Sequence, residues 1–442
     1  MSGLIDYTNP AASSYWHSLS RTGYLIQGAQ LFYLVGGEPE VYSNSAWYAG
    51  VSDPGVHTHY GWSQRYSLKW MEGIQLGLSN QIYRPGELPR LFLLSRAGLG
   101  GLARYGAGLL TAEPNVFYAT GSGQARSHLN MSGVDYYSTD ISSMLGDAPY
   151  QGGNLIYESW LAKNVLLNLP LVLPAAMMRE PWAKLNLTLK AKLEPYYYSL
   201  AYMAWKDGDP VSAPLFFYFQ DDLKARESAF ETMLGPWLLV AAGVSPGAET
   251  LKFHLPAGRW YDYYGGDVIE QAEGGEKSLP SKLQGLHVSP LLLRSGAVIP
   301  TVWNPSDTNL MYHILAFPAK EATSFVWYED SGRDNGYTLG KTATTNIELS
   351  PASPQSPLSI TIQARQFGSD DYASVEQRVY IVELVGIGNV AVAELDGQAY
   401  TRVAREDQLM ALDSGWLSIG DGRLLFKTPP LSTAQDHVIV VN

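Results

Sequence analysis

The sequence predicts an α/β first half with parallel strands, followed by antiparallel β structure that continues to the end of the chain. Up to residue 209, short apolar runs alternate with segments of helical periodicity, which is the pattern of βαβ units. These runs are almost continuously apolar, as expected for parallel strands that are buried on both faces. From residue 210 onward, Gly, Pro and Asp-Asp turns separate the apolar runs, which is typical of antiparallel sandwiches.

The first half consists of alternating strands and helices. The apolar runs predict strands at residues 31–35, 91–95, 106–110, 134–137 and 169–173. The helical patterns between them predict helices at residues 11–22, 61–80, 100–105, 124–132 and 155–164. A longer helical pattern over residues 181–206 closes this half.

The second half is predicted to be all β. Strands are expected at residues 214–220, 237–242 and 251–255, and then at 324–328, 359–363, 379–384 and 437–441. The Ser- and Pro-rich stretch 350–357 predicts a flexible loop. We therefore expect three domains, at residues 1–209, 210–300 and 301–442.

The composition narrows the function classes. The chain has 442 residues, of which 46% are hydrophobic and 16% charged, so a large core is expected. Its 12 Trp and 29 Tyr suit carbohydrate surfaces, since aromatic rings stack on the apolar faces of sugars, although most are expected in the core. The net charge of −12, without any basic run, argues against nucleic-acid binding. No cysteine is present, which excludes disulfides and thiol chemistry.

No segment of the sequence has the pattern of a membrane span or a signal peptide. The most apolar stretch, residues 165–178, is too short to cross a bilayer and contains Pro170 and Pro174, so a buried strand is the better interpretation. The first ten residues lack a basic segment followed by an apolar one, so no signal peptide is predicted.

Short motifs follow one another along nearly the whole chain. They are LIDYTNP (4–10), GAQLFYLVGGEPE (28–40), FLLSRAG (92–98), LNMSGVDYYSTDIS (129–142), PLFFYFQDD (214–222), MLGPWLLV (233–240), LPAGRWY (255–261) and YEDSGRDNGY (328–337). In this order they resemble the motifs of glycoside hydrolase family 31, whose nucleophile strand typically reads G-x-D-G-F-W-x-D-[ML]-[NG]-E-P-E. A single such motif is weak evidence, but an ordered set of this length is specific.

The resemblance implies a (β/α)₈ barrel of the TIM type followed by two C-terminal β-sandwiches. The match begins near the end of the third barrel strand. A closed barrel usually needs roughly 250 residues, and only about 210 precede the sandwich region. We therefore expect a partial barrel that a protein partner or second chain completes, because an open arc of parallel strands leaves an apolar edge. An unusual closure of the barrel and a misplaced start of the sequence are the alternatives.

The resemblance also places the catalytic pair. The family's attacking Asp corresponds here to Val35, which cannot act as a nucleophile. Glu38, after two glycines, is the candidate for a relocated nucleophile, although the matching Glu supports the loop in the family. The acid/base position corresponds to Glu113, where a carboxyl group remains on a longer side chain. A retaining glycosidase needs two such groups roughly 5–5.5 Å apart.

The substrate-binding positions are mixed. Asp140 matches an Asp that contacts sugar hydroxyls in the family. The predicted substrate-binding residues also include Arg104 and Arg96, although the Arg that matches Arg96 is largely architectural in the family. An Arg and a His that contact substrate in the family are replaced by Leu173 and Ala175, so these binding positions are lost. Loss of several hydrogen-bonding groups in one sugar site lowers affinity steeply.

Neither a metal nor another cofactor is predicted. His57 and His59 are two residues apart and lack a clear third ligand, so a structural role is the better interpretation. Arg96 and Arg104 could face a phosphate, but no Gly-rich loop before a helix supports such a site.

Three functions remain in view. The favoured one is a catalytically inactive family-31-like protein that acts as a structural, assembly or carbohydrate-binding subunit. The first alternative is an active α-glycosidase that uses Glu113 and a relocated nucleophile such as Glu38. The second is a subunit of a large complex, with the barrel edge and the aromatic loop 42–48 as contact surfaces.

Overall fold

The computed structural model of the chain describes residues 5–27, 29–35, 37, 46–51, 59–79, 90–98, 100–112, 129–140, 155–228, 230–243, 247–307, 311–354, 356–369, 372, 377–420 and 422–442. The chain forms two compact units. The first comprises Met1–Pro149, Asn168–Pro174 and Gly332–Gly336, and the second comprises Tyr150–Leu167, Ala175–Ser331 and Tyr337–Asn442. Both expected domain boundaries, after residues 209 and 300, fall inside the second unit, and the three-domain division stays a prediction.

The first unit is built on a parallel sheet. Within the described residues, four strands pair in chain order, and they are β1 (Leu31–Leu34), β2 (Phe92–Ser95), β3 (Ala107–Ala112) and β4 (Tyr137–Asp140). Leu34 pairs with Ser95, and Ala112 with Asp140, so the carboxyl ends of neighbouring strands lie together. The parallel arrangement confirms the prediction from the alternating pattern.

Two long helices cover this sheet, α1 (Pro10–Ile26) and α2 (His59–Ser79), close to their predicted positions. Asn9 precedes α1, and its side-chain oxygen accepts a hydrogen bond from the amide of Ala11, which is the action of a helix cap. The core beneath the helices is aromatic. The ring of Tyr7 stacks on Trp70 at 5.3 Å and meets Tyr66 edge-on at 5.7 Å.

Parts of the first-half prediction are wrong in detail. Residues 102–105 form only one 3₁₀ turn, Leu102–Tyr105, and the fourth strand begins at Tyr137 rather than at residue 134. The strand predicted at residues 169–173 is absent, and this described segment is irregular. One backbone hydrogen bond joins it to the sheet, from the amide of Leu169 to the carbonyl oxygen of Tyr137 at 3.1 Å. Pro170 and Pro174 lack the amide hydrogens that a strand ladder requires.

The first unit also includes a short segment from much later in the chain. The carbonyl oxygen of Arg333 accepts hydrogen bonds from the amide of Arg90 at 2.9 Å and from Nε2 of Gln30 at 3.4 Å. The guanidinium of Arg90 donates to the carbonyl oxygen of Asp334 at 2.9 Å. These bonds fix residues 332–336 to the first unit.

The helices described in the second unit are α3 (Leu155–Asn164), α4 (Pro181–Lys192), α5 (Glu194–Asp207), α6 (Leu215–Tyr218), α7 (Leu223–Glu227) and α8 (Glu406–Ala411), and a 3₁₀ turn lies at Met177–Arg179. The single helix predicted over residues 181–206 is interrupted at Leu193, because Pro195 has no amide hydrogen to continue the helical ladder. The strand predicted at residues 214–220 is instead the end of a short strand followed by α6.

The strands of the second unit follow the predicted all-β pattern. They are β5 (Ser212–Pro214), β6 (Glu231–Leu234), β7 (Leu238–Ala241), β8 (Thr250–Leu255), β9 (Gly258–Asp262), β10 (Val268–Gln271), β11 (Gly275–Pro280), β12 (Lys282–Leu283), β13 (Leu286–His287), β14 (Leu291–Arg294), β15 (Ala297–Val302), β16 (Tyr312–Phe317), β17 (Thr323–Asp330), β18 (Thr342–Ser350), β19 (Leu358–Ile362), β20 (Gln366–Phe367), β21 (Gln377–Arg378), β22 (Tyr380–Leu384), β23 (Ala393–Leu395), β24 (Gln398–Ala399), β25 (Gly415–Ile419), β26 (Arg423–Lys427), β27 (Leu431–Ser432) and β28 (His437–Val441).

These strands form several sheets. A six-stranded sheet has the order β10-β9-β14-β7-β6-β5, and a five-stranded sheet has the order β15-β16-β22-β26-β25. A further large sheet runs β17-β18-β19-β28-β23-β24, with β20 beside β18. Buried and half-buried residues alternate along β18, which is the period of a strand with one face in the core. In the part of the chain that the structure describes, no helix is long and apolar enough to cross a membrane.

Candidate functional site

The candidate site lies at the carboxyl ends of β1 to β4, because the loops after the strands carry the chemistry in barrels of this class. Val35 directly follows β1, Arg96 directly follows β2, and Asp140 is the last residue of β4. Since these strands are parallel, the three residues lie along one edge of the sheet. The amide of Arg96 donates a hydrogen bond to the carbonyl oxygen of Leu34 at 3.2 Å, which holds the ends of β1 and β2 together.

Val35 gives this edge an apolar surface at the position where the motif resemblance predicts the family's attacking carboxylate. Its side chain is 52% exposed, whereas that of Leu34 is 4% exposed. Leu31 and Tyr33 are also exposed, at 56% and 43%, and they share one face of the strand with Val35 because side chains alternate along a strand. The exposed face of β1 therefore carries no carboxylate.

The turns after β1 and β2 are fixed by packing. Ser95 is fully buried, and its hydroxyl donates to the carbonyl oxygen of Ala97 at 2.7 Å. Gly37 is buried against Trp70, and a Cβ atom at Gly37 would lie 2.8 Å from Cε3 of that ring. The strand ends are thus held in place without any contribution from an acidic side chain at position 35.

Several predicted site residues are not described. Glu38 and Glu113 lie outside the described residues, as does His57, and of Asp140 only the backbone is described. Their roles stay predictions. Of the aromatic loop 42–48, the described part places Trp47 in solvent, at 67% exposure, and buries Tyr48 against Tyr66.

The structure does not bring Arg104 to this edge. Arg104 belongs to the 3₁₀ turn Leu102–Tyr105, just before β3 begins, so it lies at the amino end of that strand. In a parallel sheet the amino ends are on the opposite edge from the carboxyl ends. Leu173 is half-buried and Ala175 is exposed, and neither side chain supplies a polar group.

A second polar cluster, which no sequence motif indicates, lies on the five-stranded sheet of the second unit. Nδ1 of His313 is 2.6 Å from the hydroxyl of Thr301, and Nε2 of His313 is 3.1 Å from Oε2 of Glu383. Oε1 of Glu383 accepts a hydrogen bond from Nε of Arg423 at 2.5 Å. These four residues stand on β15, β16, β22 and β26, which are adjacent strands, and we call them the polar row.

Glu383 is the centre of the polar row. Burial alone would raise the pKa of its carboxyl group, but the hydrogen bond and charge of His313 and the charge of Arg423 outweigh burial and lower this pKa to about 2. The group is therefore a carboxylate at neutral pH. The sequence signal was a lone Glu inside the apolar strand YIVEL, which an interpretation based on strand periodicity passes over.

Among the described residues, no group of three or more His, Cys, Asp or Glu side chains could hold a metal ion. The described part of the candidate site consists of the strand ends, the apolar face of β1 and the packed turns.

Comparison with known proteins gives a consistent family assignment. The sequence model of the glycosyl hydrolases family 31 TIM-barrel domain matches residues 1–156, and that of the family 31 C-terminal domain matches residues 208–299. Together the two matches cover more than half of the chain. They agree with the predicted order of a barrel domain followed by all-β structure.

Individual relatives are also glycosidases. An alpha-xylosidase of Saccharolobus solfataricus is 26% identical over 341 residues, which are 72% of this chain and 45% of that protein. An alpha-glucosidase of the same organism is 31% identical over 235 residues, which are 49% of this chain and 32% of that protein. The chain thus spans less than half the length of these curated relatives.

A solved structure shares the fold. The family 31 dextranase of Flavobacterium johnsoniae, solved in complex with glucose, superposes with a TM-score of 0.82 at 21% sequence identity. The match covers all of this chain and 56% of the dextranase chain.

Proposed function

This chain belongs to glycoside hydrolase family 31, and we propose that it acts as a non-hydrolytic member: a structural, assembly or carbohydrate-binding subunit. The single observation that carries the proposal is Val35, an exposed aliphatic side chain at the carboxyl end of β1. The names of its relatives, alpha-xylosidase and alpha-glucosidase, suggest α-linked glucosyl or xylosyl saccharides as the ligand class.

The chemical argument concerns the attacking group. A retaining glycosidase forms a covalent bond between a carboxylate oxygen and the anomeric carbon, while a second carboxyl group moves the proton of the leaving oxygen. Valine has no lone pair to form that bond. Leu173 and Ala175 stand at positions where the family contacts the substrate with Arg and His, so binding of the ring is also weakened there.

The test is hydrolysis of chromogenic aryl α-glucosides, α-xylosides and α-galactosides by the pure chain. We expect no turnover above the buffer rate at any pH between 4 and 8. Turnover that disappears in Glu113→Ala would contradict the proposal, because it would identify a working acid/base. Trace contamination is controlled by purifying Glu113→Ala in parallel under the same conditions.

An active α-glycosidase with a relocated nucleophile is the competing proposal. Its motive is that Glu38 is a carboxylate three residues beyond Val35, after two glycines that permit a tight loop. A mechanism-based fluoro-sugar would then label Glu38, as peptide mass analysis can detect. Absence of a label, together with unchanged properties of Glu38→Gln, removes this alternative.

A partner that completes the barrel is favoured by the edge strand β1. Within the described residues, β1 has a strand neighbour on one side only, and Leu31, Tyr33 and Val35 expose apolar surface. Such an edge is usually covered in natural proteins. Native mass spectrometry of the chain purified from its source should show a complex heavier than one chain. A monomer at micromolar concentration, with nothing bound, would contradict the partner.

A further inference from the structure

The second unit contains a cavity of about 490 Å³ beside the polar row. Its wall is formed by the end of α4, the turn that follows β9, and the face of the five-stranded sheet that carries Thr301, His313, Glu383 and Arg423. The volume lies within the range of about 300–1,000 Å³ that is usual for small-molecule sites.

The polar row alone has a structural explanation, since a chain of buried hydrogen bonds can fix the register of a sheet. The same face bears the buried Ile381, Leu417 and Leu425, which belong to an apolar cluster. Replacing a buried ion pair by apolar residues is often neutral or stabilising. A structural role therefore does not explain why the charged residues border a cavity of this size.

The cavity also presents polar groups that lack partners among the described residues. Arg423 uses Nε to bind Glu383, and its two terminal nitrogens make no hydrogen bond there. The hydroxyls of Tyr263 and Tyr264 likewise make none. Burial, followed by the charge of Glu383, raises the pKa of Tyr263 to about 12, so this hydroxyl remains a hydrogen-bond donor at neutral pH.

One aromatic face borders the cavity together with these donors. The indole ring of Trp303 meets the imidazole of His313 edge-on, with 5.1 Å between ring centroids. Nζ of Lys192 lies 5.8 Å from the centre of the Trp303 ring. Lys192 and Arg423 contribute two positive charges, and Glu383 and Glu406 contribute two negative charges, so the lining favours a neutral ligand.

We propose that this cavity binds a neutral saccharide of one or two rings, apart from the strand ends of the parallel sheet. Trp303 offers a flat surface for the C–H face of a sugar ring, and Arg423, Tyr263 and Tyr264 donate hydrogen bonds to its hydroxyls. The ligand class rests on the proposed carbohydrate-binding function, whereas the position of the site rests on the cavity and the polar row.

The experiment measures binding of glucose, xylose, maltose and isomaltose to the full chain by calorimetry and ligand-observed NMR. Trp303→Ala should weaken binding about tenfold or more, through loss of the stacking surface. Tyr263→Phe, which removes one oxygen, should weaken it by about 2–10-fold. Trp205→Ala is the matched control, because Trp205 is 76% exposed and lies outside the cavity lining. Circular dichroism verifies that each variant is folded.

Each other outcome overturns the inference. If none of the four neutral saccharides binds, the cavity is not a neutral-sugar site. If binding survives both Trp303→Ala and Tyr263→Phe but is lost in Val35→Arg, the saccharide occupies the strand ends instead. Hydrolysis by the wild-type chain would contradict the proposed function alone, because these variants report binding at the cavity and not turnover.

Discussion

Val35 at the end of β1 is 52% exposed and apolar, whereas Glu383 in β22 is buried, ionised and bonded on both sides. The first position is where the motif resemblance predicts a carboxylate in family 31, and the second lies in the all-β region, where no motif predicts one. A fold assignment therefore identifies where chemistry is usual, and the side chains decide whether this chain can perform it.

The two regions also differ in what supports them. The turns after β1 and β2 depend on packing, through Gly37 on Trp70 and the buried Ser95. The five-stranded sheet contains, among its buried apolar residues, the charged and polar hydrogen bonds of the polar row. Substitutions at these places should therefore have effects of very different size.

The largest effect is expected for Glu383→Gln. This change leaves the buried His313 and the partly exposed Arg423 without their carboxylate, and because solvent reaches Arg423 the cost should lie at the low end of the range for buried pairs, about 3 kcal/mol of unfolding free energy. Urea denaturation measures the loss. Glu276→Gln is the control, because its ion pair with Lys252 has side chains that are 69% and 70% exposed, and it should cost less than about 0.5 kcal/mol. Equal losses would show that the polar row does not stabilise the sheet.

A second prediction concerns pH. The folded-state pKa of Glu383 is about 2, below its ordinary value of 4.5, so the ionised group stabilises the fold above pH 4.5. This contribution, about 3 kcal/mol at 1.36 kcal/mol per pKa unit, is lost as the pH falls from 4.5 towards 2. The difference in urea midpoint between wild type and Glu383→Gln should shrink over that interval. A difference that stays constant with pH would contradict the assignment.

A moderate effect is expected for Gly37→Ala. The added methyl would meet the Trp70 ring, which the stack with Tyr7 prevents from moving aside, so a cost of about 1–3 kcal/mol is expected. Gly388→Ala is the matched control, since a Cβ there has no atom within 4 Å. Thermal unfolding followed by tryptophan fluorescence compares the two. Equal midpoints would mean that the turn after β1 is not fixed by packing.

The smallest effect is expected for Val35→Asp. Because the side chain is half in solvent, the carboxylate stays hydrated, and the free energy of unfolding should change by no more than about 0.5 kcal/mol. Leu34→Asp, at a position 4% exposed, buries an unpaired charge and should destabilise the protein severely. Similar losses in the two variants, measured in urea, would refute the outward direction of Val35.

Much of the fold was predictable because buried positions recur at regular intervals in a strand or helix, so apolar residues repeat at the same intervals in the sequence. Continuously apolar runs identified β1 to β3, and alternation identified strands such as β19 and β28. The strand expected at residues 169–173 failed because Pro170 and Pro174 remove backbone donors that apolarity cannot replace. The helix expected over residues 181–206 was divided for the same reason at Pro195.

The candidate site was predictable only where its residues lie close together in the sequence. The position of Val35 at the end of β1 could be predicted, because that strand end is defined by residues that are neighbours in the sequence. The polar row could not, since Thr301, His313, Glu383 and Arg423 are brought together by strand order, and β16 pairs in parallel with β22, which is distant in the chain. Arg104 was wrongly placed at the candidate site, because it lies just before β3 in the chain and therefore at the amino end of that strand, on the opposite edge of the sheet.

The bonds from Arg90 and Gln30 to Arg333 have a consequence for synthesis. A ribosome delivers residues 1–149 long before residues 332–336 emerge, yet both belong to one compact unit. Domains generally fold as units, in the order of their synthesis. In this chain the earlier part remains incomplete until the later segment arrives, so the last contacts of the first unit form after most of the second has been made. Synthesis of the first unit is thus interrupted by that of the second, and its last segment emerges before the second unit is itself complete.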